Sequence, residues 1–334
     1  MKMLNLKSIF QQINFQMSII SNDINKAVAI LNSEDVVAIP TETVYGLAAN
    51  IYSEKAIRKI FEVKQRPLFN PLIVHLHSIT QLENIVTDFP NKAKKLAEAF
   101  WPGSLTLVMK KNDAIPNLIS AGKDTVAVRI PNHPVTLQLL KALDFPLAAP
   151  SANPFNRISP TQALHVEQYF KNDIQMVLEG GNCTSGIEST IIGFEGEEAV
   201  LYRLGAISLE DIEAVIGSIK IKNKSEVAPA APGMLAKHYS PTTKTFLVDD
   251  VLQFVANNDF KKIGVLQFKD VVENEYIQHL EVLSKTGNLN EATANLYHAM
   301  HTLDSLNLEA IVIQKMPNYG LGKSMNDRLE RAAK

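Results

Sequence analysis

Residues 36–47 read Val-Val-Ala-Ile-Pro-Thr-Glu-Thr-Val-Tyr-Gly-Leu, and this stretch decides the fold. Its four leading apolar residues form a short run typical of a buried strand, which Pro40 ends. Polar side chains follow at once, with Glu42 between two threonines. In open α/β sheets, ligands bind outside strand ends of this kind. The stretch predicts a buried strand with a functional edge, although a turn with a solvated Glu42 fits the pattern equally well.

Strand and helix patterns alternate on both sides of this stretch. Helices are predicted from an N-cap at Ser53 to before Pro67, over Asn91–Phe100 and over Leu209–Ile216. Further strands are predicted at Pro71–Leu76, Leu105–Met109, Thr125–Ile130, Pro146–Ala149, Gln175–Leu178, Ser189–Gly193 and Ala199–Tyr202. The alternation indicates an α/β domain with a mixed sheet and flanking helices over residues 1–218.

The composition changes near residue 219. Residues 219–241 contain a stretch rich in proline and alanine, which predicts an extended linker. Residues 242–334 then predict a smaller, Rossmann-like α/β domain. Its expected strands and helices are Thr245–Val248, Lys262–Phe268, Asn290–Asp304, Ala310–Gln314 and Asn326–Ala333. This domain has no G-x-G-x-x-G turn, so a dinucleotide role has no support.

Composition limits the classes of function. The chain has 334 residues and a formal net charge of -2, so the protein as a whole does not attract polyanions. Its single cysteine, Cys183, excludes an internal disulfide framework and a multi-cysteine zinc site. No apolar run is long enough for a membrane helix, and the first residues do not read as a signal peptide. We therefore expect a cytoplasmic protein without a membrane partner.

Four cationic side chains lie near predicted element ends: Lys64, Arg66, Arg129 and Arg203. Together they could line one cavity that suits a triphosphate or carboxylates, with catalysis by placement and charge neutralisation. Other interpretations remain open. Lys64 and Arg66 fit a helix C-terminus, where cations are favourable. Arg129 or Arg203 could form an internal salt bridge with Glu42 or Glu188.

Small and polar residues follow the strand predicted at Pro146–Ala149. Ser151, Asn153 and Ser159 could bind phosphate or sugar oxygens, but a turn followed by a helix capped by Ser159 or Thr161 fits as well. His75 and His77 fall on one face of a strand, yet no other ligands accompany them. The sequence therefore predicts no metal site.

Several ordered motifs resemble the YrdC/Sua5 family, and the resemblance covers nearly the whole chain after about residue 20. In the first domain they are Pro40-Thr-Glu-Thr-Val-Tyr-Gly46, Lys64-x-Arg-Pro, Asn70-Pro-Leu-Ile-Val-His75, Trp101-Pro-Gly-Ser-Leu-Thr106, Thr125-Val-Ala-Val-Arg-Ile-Pro131, Pro150-Ser-Ala-Asn153, Gly186-Ile-Glu-Ser-Thr190 and Arg203-x-Gly205. The long, Sua5-type branch is resembled by Pro232-Gly-Met234, Lys237-His-Tyr-Ser-Pro241, Gly320-Leu-Gly322 and Asn326-Asp-Arg-Leu329. Ala48 and Leu204 depart from the family pattern without removing a group assigned to ligands.

The resemblance implies a YrdC-like twisted mixed sheet around a cationic cavity, with a Sua5-type second domain. It implies that ATP, L-threonine and bicarbonate give threonylcarbamoyl-AMP and pyrophosphate, for N6-threonylcarbamoyladenosine (t6A) at position 37 of tRNA. Mg²⁺ would accompany ATP, held mainly by phosphates. The family's threonine-binding residues correspond to Thr43, His75, Arg129, Ala149 and Ser189. Its ATP-binding residues correspond to Lys64 and Arg66, which are also the expected catalytic pair, and to Asn70, Thr125, Ser151, Asn153, Ser159, Arg203 and Tyr239.

Two other functions remain as alternatives. One is a carbamoyl-transferring maturase with a YrdC-like domain, although its usual acylphosphatase and zinc-finger regions are not visible in this sequence. The other is a non-catalytic RNA-binding module, against which the net charge and the lack of an aromatic-basic surface pattern argue. A t6A transferase complex and, indirectly, tRNA are the expected macromolecular partners.

Overall fold

The computed structural model describes residues 19–223 and 238–334, which form two β-sheets with packed helices. The remaining part of the predicted first domain, residues 1–18, and residues 224–237 of the predicted linker lie outside the described residues. Within the described ranges, no helix combines the length and apolarity needed to span a membrane.

The first sheet has eleven strands in the order β1-β8-β2-β3-β7-β4-β6-β5-β9-β10-β11. The strands are β1 Ile20–Ser21, β2 Val37–Ile39, β3 Gly46–Asn50, β4 Ile73–His75, β5 Leu105–Lys110, β6 Thr125–Arg129, β7 Leu147–Ala148, β8 Val177–Leu178, β9 Thr190–Glu195, β10 Glu198–Arg203 and β11 Lys220–Ile221. The α-helices are α1 Ile24–Asn32, α2 Glu54–Lys64, α3 Asn91–Phe100, α4 Asn117–Ser120, α5 Pro134–Lys141, α6 Ala163–Phe170 and α7 Leu209–Ile216, with a 3₁₀ helix at Ile79–Asn84. Parallel and antiparallel pairs both occur, which confirms the predicted mixed sheet.

The second sheet is smaller and wholly parallel, in the order β12-β15-β13-β14. Its elements are β12 Thr245–Val248, α8 Val251–Ala256, β13 Ile263–Gln267, β14 Ile277–Val282, α9 Leu289–Asp304, β15 Ala310–Gln314 and α10 Leu321–Ala332. Alternating strands and helices in a parallel sheet confirm the Rossmann-like prediction.

Helix α2 illustrates how local sequence sets an element. Ser53 caps it, because its Oγ accepts a hydrogen bond from Ala56 N at 3.2 Å. Ile57, Ile60 and the rest of one face are buried in the core. The helix ends at Lys64, and Gln65 follows with a left-handed φ of 52°. Lys64 is therefore placed at the base of the next loop.

Most predicted strands and helices are confirmed, with ends that differ by a few residues. The prediction was wrong for the last helix, which begins at Leu321 rather than Asn326. Strands β3 and β14 were not predicted. Polar residues precede β3, so its antiparallel pairing with β2 and β7 depends on the sheet rather than on local pattern.

The two domains share one apolar cluster. Val44, Ile158 and Ile187 of the first domain pack with Leu296, Met300 and other residues of the second. Gly186 lies against α9 with a φ of 72°, and a Cβ atom there would collide with the backbone of Thr293 and Ala294. Only glycine therefore permits this approach without a shift.

Candidate active site

A cavity opens where several first-sheet strands meet His238 and Tyr239, at the end of the predicted linker. It has about 590 Å³ of empty space, its solvent-open mouth included. Nine predicted site residues are among those lining it: Thr43, Arg66, His75, Arg129, Ala149, Ser151, Ser189, Arg203 and Tyr239. Residues from distant parts of the chain therefore meet in a shared hollow.

Arg129 is fixed at one side of this cavity. Parallel pairing of β4 with β6 sets it opposite His75. Its guanidinium donates to Thr43 Oγ1 at 2.8 Å and to Gly103 O at 3.1 Å, and it forms an ion pair with Glu42 at 2.7 Å. Burial raises the pKa of Glu42, but the Arg129 charge and hydrogen bonds outweigh it and lower that pKa overall. The internal salt bridge left open for Arg129 is confirmed.

His75 is a neutral hydrogen-bonding group. It is 3% exposed, and its Nδ1 lies 3.1 Å from Ile73 O. Burial, assisted by the Arg129 charge, lowers the pKa of His75 to about 3. An imidazole of this kind is a poor base at neutral pH. It can orient a polar ligand without adding charge.

Lys64 and Arg66 are buried cations that form no ion pair with a carboxylate within residues 19–223 and 238–334. Lys64 Nζ donates to Ser151 O at 2.5 Å and to Asn153 O. Arg66 donates to Asn70 O at 3.3 Å and to Pro71 O at 2.9 Å. Backbone carbonyls cannot neutralise a full charge, so both side chains favour an anion nearby.

The surroundings of this pair affect its protonation. Burial, then the Arg66 charge, lowers the pKa of Lys64 well below its usual value. Burial, then the Arg203 charge, lowers the pKa of Arg66 to about 9, so Arg66 stays charged at neutral pH. A polyanion in the cavity would oppose both shifts.

Two predicted asparagines carry buried amide atoms without a protein partner in the described chain. Asn70 is fully buried, and neither its Nδ2 nor its Oδ1 forms a hydrogen bond. The Asn153 Nδ2 donates to Pro154 O and Arg157 O, whereas its Oδ1 is unpaired. Because unpaired buried polar atoms are costly, these atoms indicate a place for water or ligand.

Lys64, Asn70, Thr125, Asn153 and Ser159 do not line the cavity itself. Lys64 and Asn153 lie beside the cavity, because Lys64 donates to Ser151 O and to Asn153 O. Asn70 also lies beside it, because its carbonyl accepts from Arg66. Thr125 stands at the start of β6, paired with Lys110, whereas Arg129 ends the same strand. It is therefore set apart from the cavity, and its predicted contact with ATP stays a prediction.

Arg203 and Ser189 form a second group in the cavity wall. Arg203 donates to Ser189 O at 3.0 Å through Nε and to Ser189 Oγ at 3.0 Å through Nη2. Ser189 Oγ also lies 2.7 Å from Thr106 Oγ1, a contact that the sequence did not predict. Arg203, at the end of β10, thereby fixes the Ser189 hydroxyl in the cavity wall.

Glu188 connects the cavity to the second domain. Its carboxylate accepts hydrogen bonds from Ser159 Oγ at 2.6 Å, Tyr297 Oη at 3.1 Å and Arg328 Nε at 2.9 Å. Burial raises the pKa of Glu188, but the charges of Arg328 and Arg203 outweigh it and lower that pKa to about 2. Glu188 is therefore an anion at neutral pH.

The structure overturns one alternative for Ser159. Helix α6 is preceded by Gln162, which provides no side-chain cap, so neither Ser159 nor Thr161 is its N-cap. Tyr297 and Arg328 were missed as site residues. The available signal was an arginine among Met325, Leu329 and Ala332 on one helical face, since a charge at a buried position needs a partner.

Tyr239 closes one wall of the cavity. It is 1% exposed, and its ring stacks on Tyr297 with centroids 5.8 Å apart. Its φ of 63° is uncommon for an aromatic residue and is held by this packing. His238 beside it also lines the cavity, and burial lowers the pKa of that imidazole to about 3.

Acidic side chains around the cavity do not form a metal site. Glu42 and Glu188 are engaged with Arg129 and Arg328. The described residues contain no group of three or more histidine, cysteine, aspartate and glutamate side chains that could hold a metal ion. The donors present do not fit direct metal coordination.

Comparisons with known proteins match both parts of the chain. Residues 29–205 match the Sua5/YciO/YrdC family, described as telomere recombination. Residues 207–334 match the C-terminal domain of threonylcarbamoyl-AMP synthase. The structure of Pyrococcus abyssi Sua5 complexed with L-threonine matches with a TM-score of 0.86 and 36% identity, covering 93% of this chain and 94% of that chain.

Curated relatives match along nearly the whole chain. Threonylcarbamoyl-AMP synthase of Pyrococcus abyssi is 37% identical over 321 residues, which cover 92% of this chain and 93% of the relative. The Bacillus subtilis protein of the same name is 36% identical over 337 residues, with 98% and 97% covered. This chain, with both of its domains matched, therefore belongs to the Sua5/YciO/YrdC family.

Proposed function

We propose that this chain is a threonylcarbamoyl-AMP synthase, a nucleotidyltransferase that converts L-threonine, bicarbonate and ATP into threonylcarbamoyl-AMP and pyrophosphate. The observation that carries this proposal is the buried Lys64 and Arg66, without carboxylate partners in the described chain, beside a cavity lined by two further arginines. Relatives with that enzyme name match both domains.

Threonine would bind where Arg129, Thr43 and His75 meet. The cationic Arg129 and the Thr43 hydroxyl suit its carboxylate, and the neutral His75 suits its polar groups. Ile73 and Ala149 offer apolar surface to the methyl group that distinguishes threonine from serine. One methyl group in an apolar pocket is worth roughly 10–200-fold in selectivity.

The triphosphate would lie against Lys64 and Arg66. Among the described residues, their buried charges have only backbone carbonyls as partners, so phosphate oxygens would supply the missing negative charge. The Ser151 hydroxyl and the free Nδ2 of Asn70 would donate hydrogen bonds to phosphate oxygens, whereas the free Oδ1 of Asn153 and the Ser159 oxygen, whose hydrogen is donated to Glu188, would accept from ribose hydroxyl or adenine amino groups. Phosphate binding would also raise the pKa of Lys64 and keep its ammonium protonated.

The chemistry follows from placing reactants together. The neutral amine of threonine attacks the carbon of bicarbonate, and water leaves as the carbamate forms. A carbamate oxygen then attacks the α-phosphorus of ATP, and the bond to pyrophosphate breaks. Arg66 and Lys64 stabilise the charge that develops on the phosphates. Tyr239 and the buried walls limit water, which would hydrolyse the mixed anhydride.

Mg²⁺ would enter with ATP, held by phosphate oxygens. Glu42 and Glu188 are already bound to arginines, so the cavity offers it no open carboxylate pair. In this scheme, none of the roles assigned to the chain's own residues depends on the ion. The product would pass to a t6A transferase complex, with tRNA an indirect partner.

The alternatives have weaker support. A carbamoyl-transferring maturase shares only the first domain's fold, whereas the relatives named threonylcarbamoyl-AMP synthase match this chain over both domains. An RNA-binding module would need cations that the phosphate backbone of RNA can reach at the protein surface. Lys64, Arg66 and Arg203, however, are at most 8% exposed.

The test is incubation of the full chain with ATP, labelled bicarbonate and threonine. We expect label in a threonine-dependent adenylate together with an equal amount of pyrophosphate. Serine in place of threonine should give at least about tenfold less product. Absence of labelled adenylate with folded protein would contradict the proposal, and salt-sensitive RNA binding without ATP turnover would favour the RNA-binding alternative.

A further inference from the structure

Arg328 of α10 is a fully buried arginine that does not line the cavity. Its Nε donates to Glu188 Oε2 at 2.9 Å, its Nη2 donates to Leu204 O at 2.6 Å, and its Nη1 donates to Asp327 Oδ2 at 2.8 Å. The guanidinium carbon also lies 5.3 Å from the centroid of the Tyr239 ring. One side chain thereby joins three separate segments of the chain.

Each of these segments contributes to the cavity wall. Glu188 and Tyr239 line it directly, and Leu204 follows the lining residue Arg203. Glu188 also accepts a hydrogen bond from the Ser159 hydroxyl. This bond fixes the orientation of that hydroxyl, which belongs to a predicted ATP-binding residue. A displacement of the Arg328 guanidinium would therefore shift several lining residues together.

Tyr297 of α9 contributes to the same arrangement. Its hydroxyl lies 3.2 Å and 3.1 Å from the two carboxylate oxygens of Glu188, and its ring stacks on Tyr239. Tyr297 is fully buried, so the hydroxyl depends on Glu188 as its acceptor. The two second-domain side chains thus hold the same carboxylate from different helices.

We infer that Arg328, with Tyr297, is a positioning residue of the active site, through which the second domain orients Glu188, Ser159, Arg203 and Tyr239 for ATP. The inference rests on the proposed function and deepens it, because it assigns the second domain a part in nucleotide binding. The Arg129, Thr43 and His75 region has its own partners in the first domain and does not need Arg328.

A matched control exists on the same helix. Arg331 is also buried, and it binds the same Asp327 at 2.9 Å, but it is not bonded to Glu188. Replacing either arginine with methionine removes a buried charge from α10. Only Arg328→Met also removes the contacts to Glu188 and Leu204 and the packing on Tyr239.

The experiment compares Arg328→Met, Arg331→Met and Tyr297→Phe in the full chain. Steady-state kinetics give kcat and the KM for each substrate, while calorimetry measures binding of threonine and of a non-hydrolysable ATP analogue. Thermal unfolding is followed for every variant. The double variant Arg328→Met/Glu188→Gln is included because it removes the carboxylate that Arg328→Met would leave unpaired.

For Arg328→Met we expect kcat/KM for ATP to fall on the order of 10–100-fold. Threonine affinity should fall less, because Ser189 is bonded to Arg203, whereas Arg129, Thr43 and His75 keep their own partners. Tyr297→Phe should lose about tenfold in the same parameter. Arg331→Met should keep ATP turnover within about threefold. The double variant should recover thermal stability without recovering ATP turnover.

A pH profile separates positioning from simple loss of stability. Without Arg328, the pKa of Glu188 should rise, because the charge that most lowers it is gone. Turnover by Arg328→Met should then decline as the pH falls through a range where the unsubstituted protein is unaffected. A structural defect alone would not produce this acid limb.

The inference is overturned if Arg328→Met and Arg331→Met lose ATP turnover equally, or if Arg328→Met binds and uses ATP normally. It is also overturned if threonine affinity falls as much as ATP affinity. Failure of the proposed function is distinguishable, since the unsubstituted chain would then make no threonylcarbamoyl-AMP. Analogue binding would still decide the role of Arg328, and a chain that binds no analogue contradicts both.

Discussion

The loop at residues 64–71 and the junction between the domains both bury arginines, but the two arginines have different kinds of hydrogen-bond partner. At the junction, Arg328 has the carboxylates of Glu188 and Asp327. In the loop, the acceptors for Arg66 within residues 19–223 and 238–334 are the backbone carbonyls of Asn70 and Pro71. We therefore interpret Arg328, paired with carboxylates, as part of the scaffold, and Arg66, without one in the described chain, as prepared for an anionic ligand.

This contrast explains why burial alone does not identify a binding residue. Arg66 and Arg328 are 8% and 0% exposed, and burial disfavours the charged form of each. The pKa moves in opposite directions, to about 9 for Arg66 and well above the usual value for Arg328. Tyr239, then the carboxylate of Glu188, raise the pKa of Arg328 despite its burial, and Arg66 lacks a carboxylate partner that would do the same in the described chain.

Arg66→Met gives the largest expected effect and tests the loop directly. We expect adenylate formation to fall on the order of 10²–10³-fold, because a charge that stabilises the phosphates is lost. The free energy of unfolding should stay the same or rise by about 1–2 kcal/mol, because an uncompensated buried charge is removed. Turnover assays and denaturant titration measure the two quantities.

Arg58→Met is the control for Arg66→Met. Arg58 lies on helix α2, which ends at Lys64 just before Arg66, but it is exposed and pairs with Glu54 at 2.5 Å. We expect no measurable change in turnover or stability. If Arg66→Met instead lowered stability as strongly as loss of a paired arginine does, the contrast between loop and junction would fail.

Glu42→Gln tests a paired arginine within the first domain. It leaves Arg129 buried without its carboxylate, so the free energy of unfolding should fall by about 3–5 kcal/mol. Saturating threonine should recover part of this loss, because its carboxylate replaces the missing charge. Denaturant titrations with and without threonine measure the effect.

Glu195→Gln provides the comparison for Glu42→Gln. Its partner Lys222 lies at 2.5 Å, and both side chains are about half exposed. Such a pair contributes little, so stability should not change. Equal losses in Glu42→Gln and Glu195→Gln would show that the burial of the Arg129 pair has no energetic consequence.

The smallest expected effect concerns the pH dependence of the junction. His165 of α6 stacks on His301 of α9 with centroids 3.9 Å apart, and His298 lies 5.6 Å from His165. Burial and the neighbouring histidines lower the pKa of His165 to about 3, and burial first lowers that of His301 to about 4. In the unfolded chain both titrate near 6.5.

Between pH 6.5 and about 3, the unfolded state therefore binds more protons than the folded state. Stability is complete above pH 6.5 and decreases as the pH falls through this window. In His165→Asn, the loss between pH 7 and pH 4 should be smaller by roughly 1–2 kcal/mol. Urea unfolding at several pH values measures it, and parallel curves for both proteins would contradict a neutral, buried His165.

The fold was largely predictable where local pattern and final structure agree. Helices α3 and α7 and strands β12 and β15 have the predicted bounds, because caps and apolar periodicity are local properties. Strand β14, at the edge of its sheet, was missed. Its polar alternation, as in His279 and Glu281, gives only a weak strand signal.

The site was predictable as a set of charges but not as a set of pairs. Resemblance to a family brought together residues now seen around one cavity. Spacing in the sequence could not show that Arg129 pairs with Glu42. Nor could it show that Arg328 pairs with the carboxylate of Glu188, which is 140 residues away. Such pairings are set by tertiary packing, within the first domain for Arg129 and between the domains for Arg328, which no short stretch of sequence encodes.

The single cysteine has a practical consequence. Cys183 is 5% exposed, and burial raises the pKa of its thiol above the usual range. A thiol in this state reacts slowly with maleimides and oxidants. Fluorophores could therefore be attached at newly introduced surface cysteines, one per domain, without first removing the native sulfur. Energy transfer between them would report the distance between the domains during turnover.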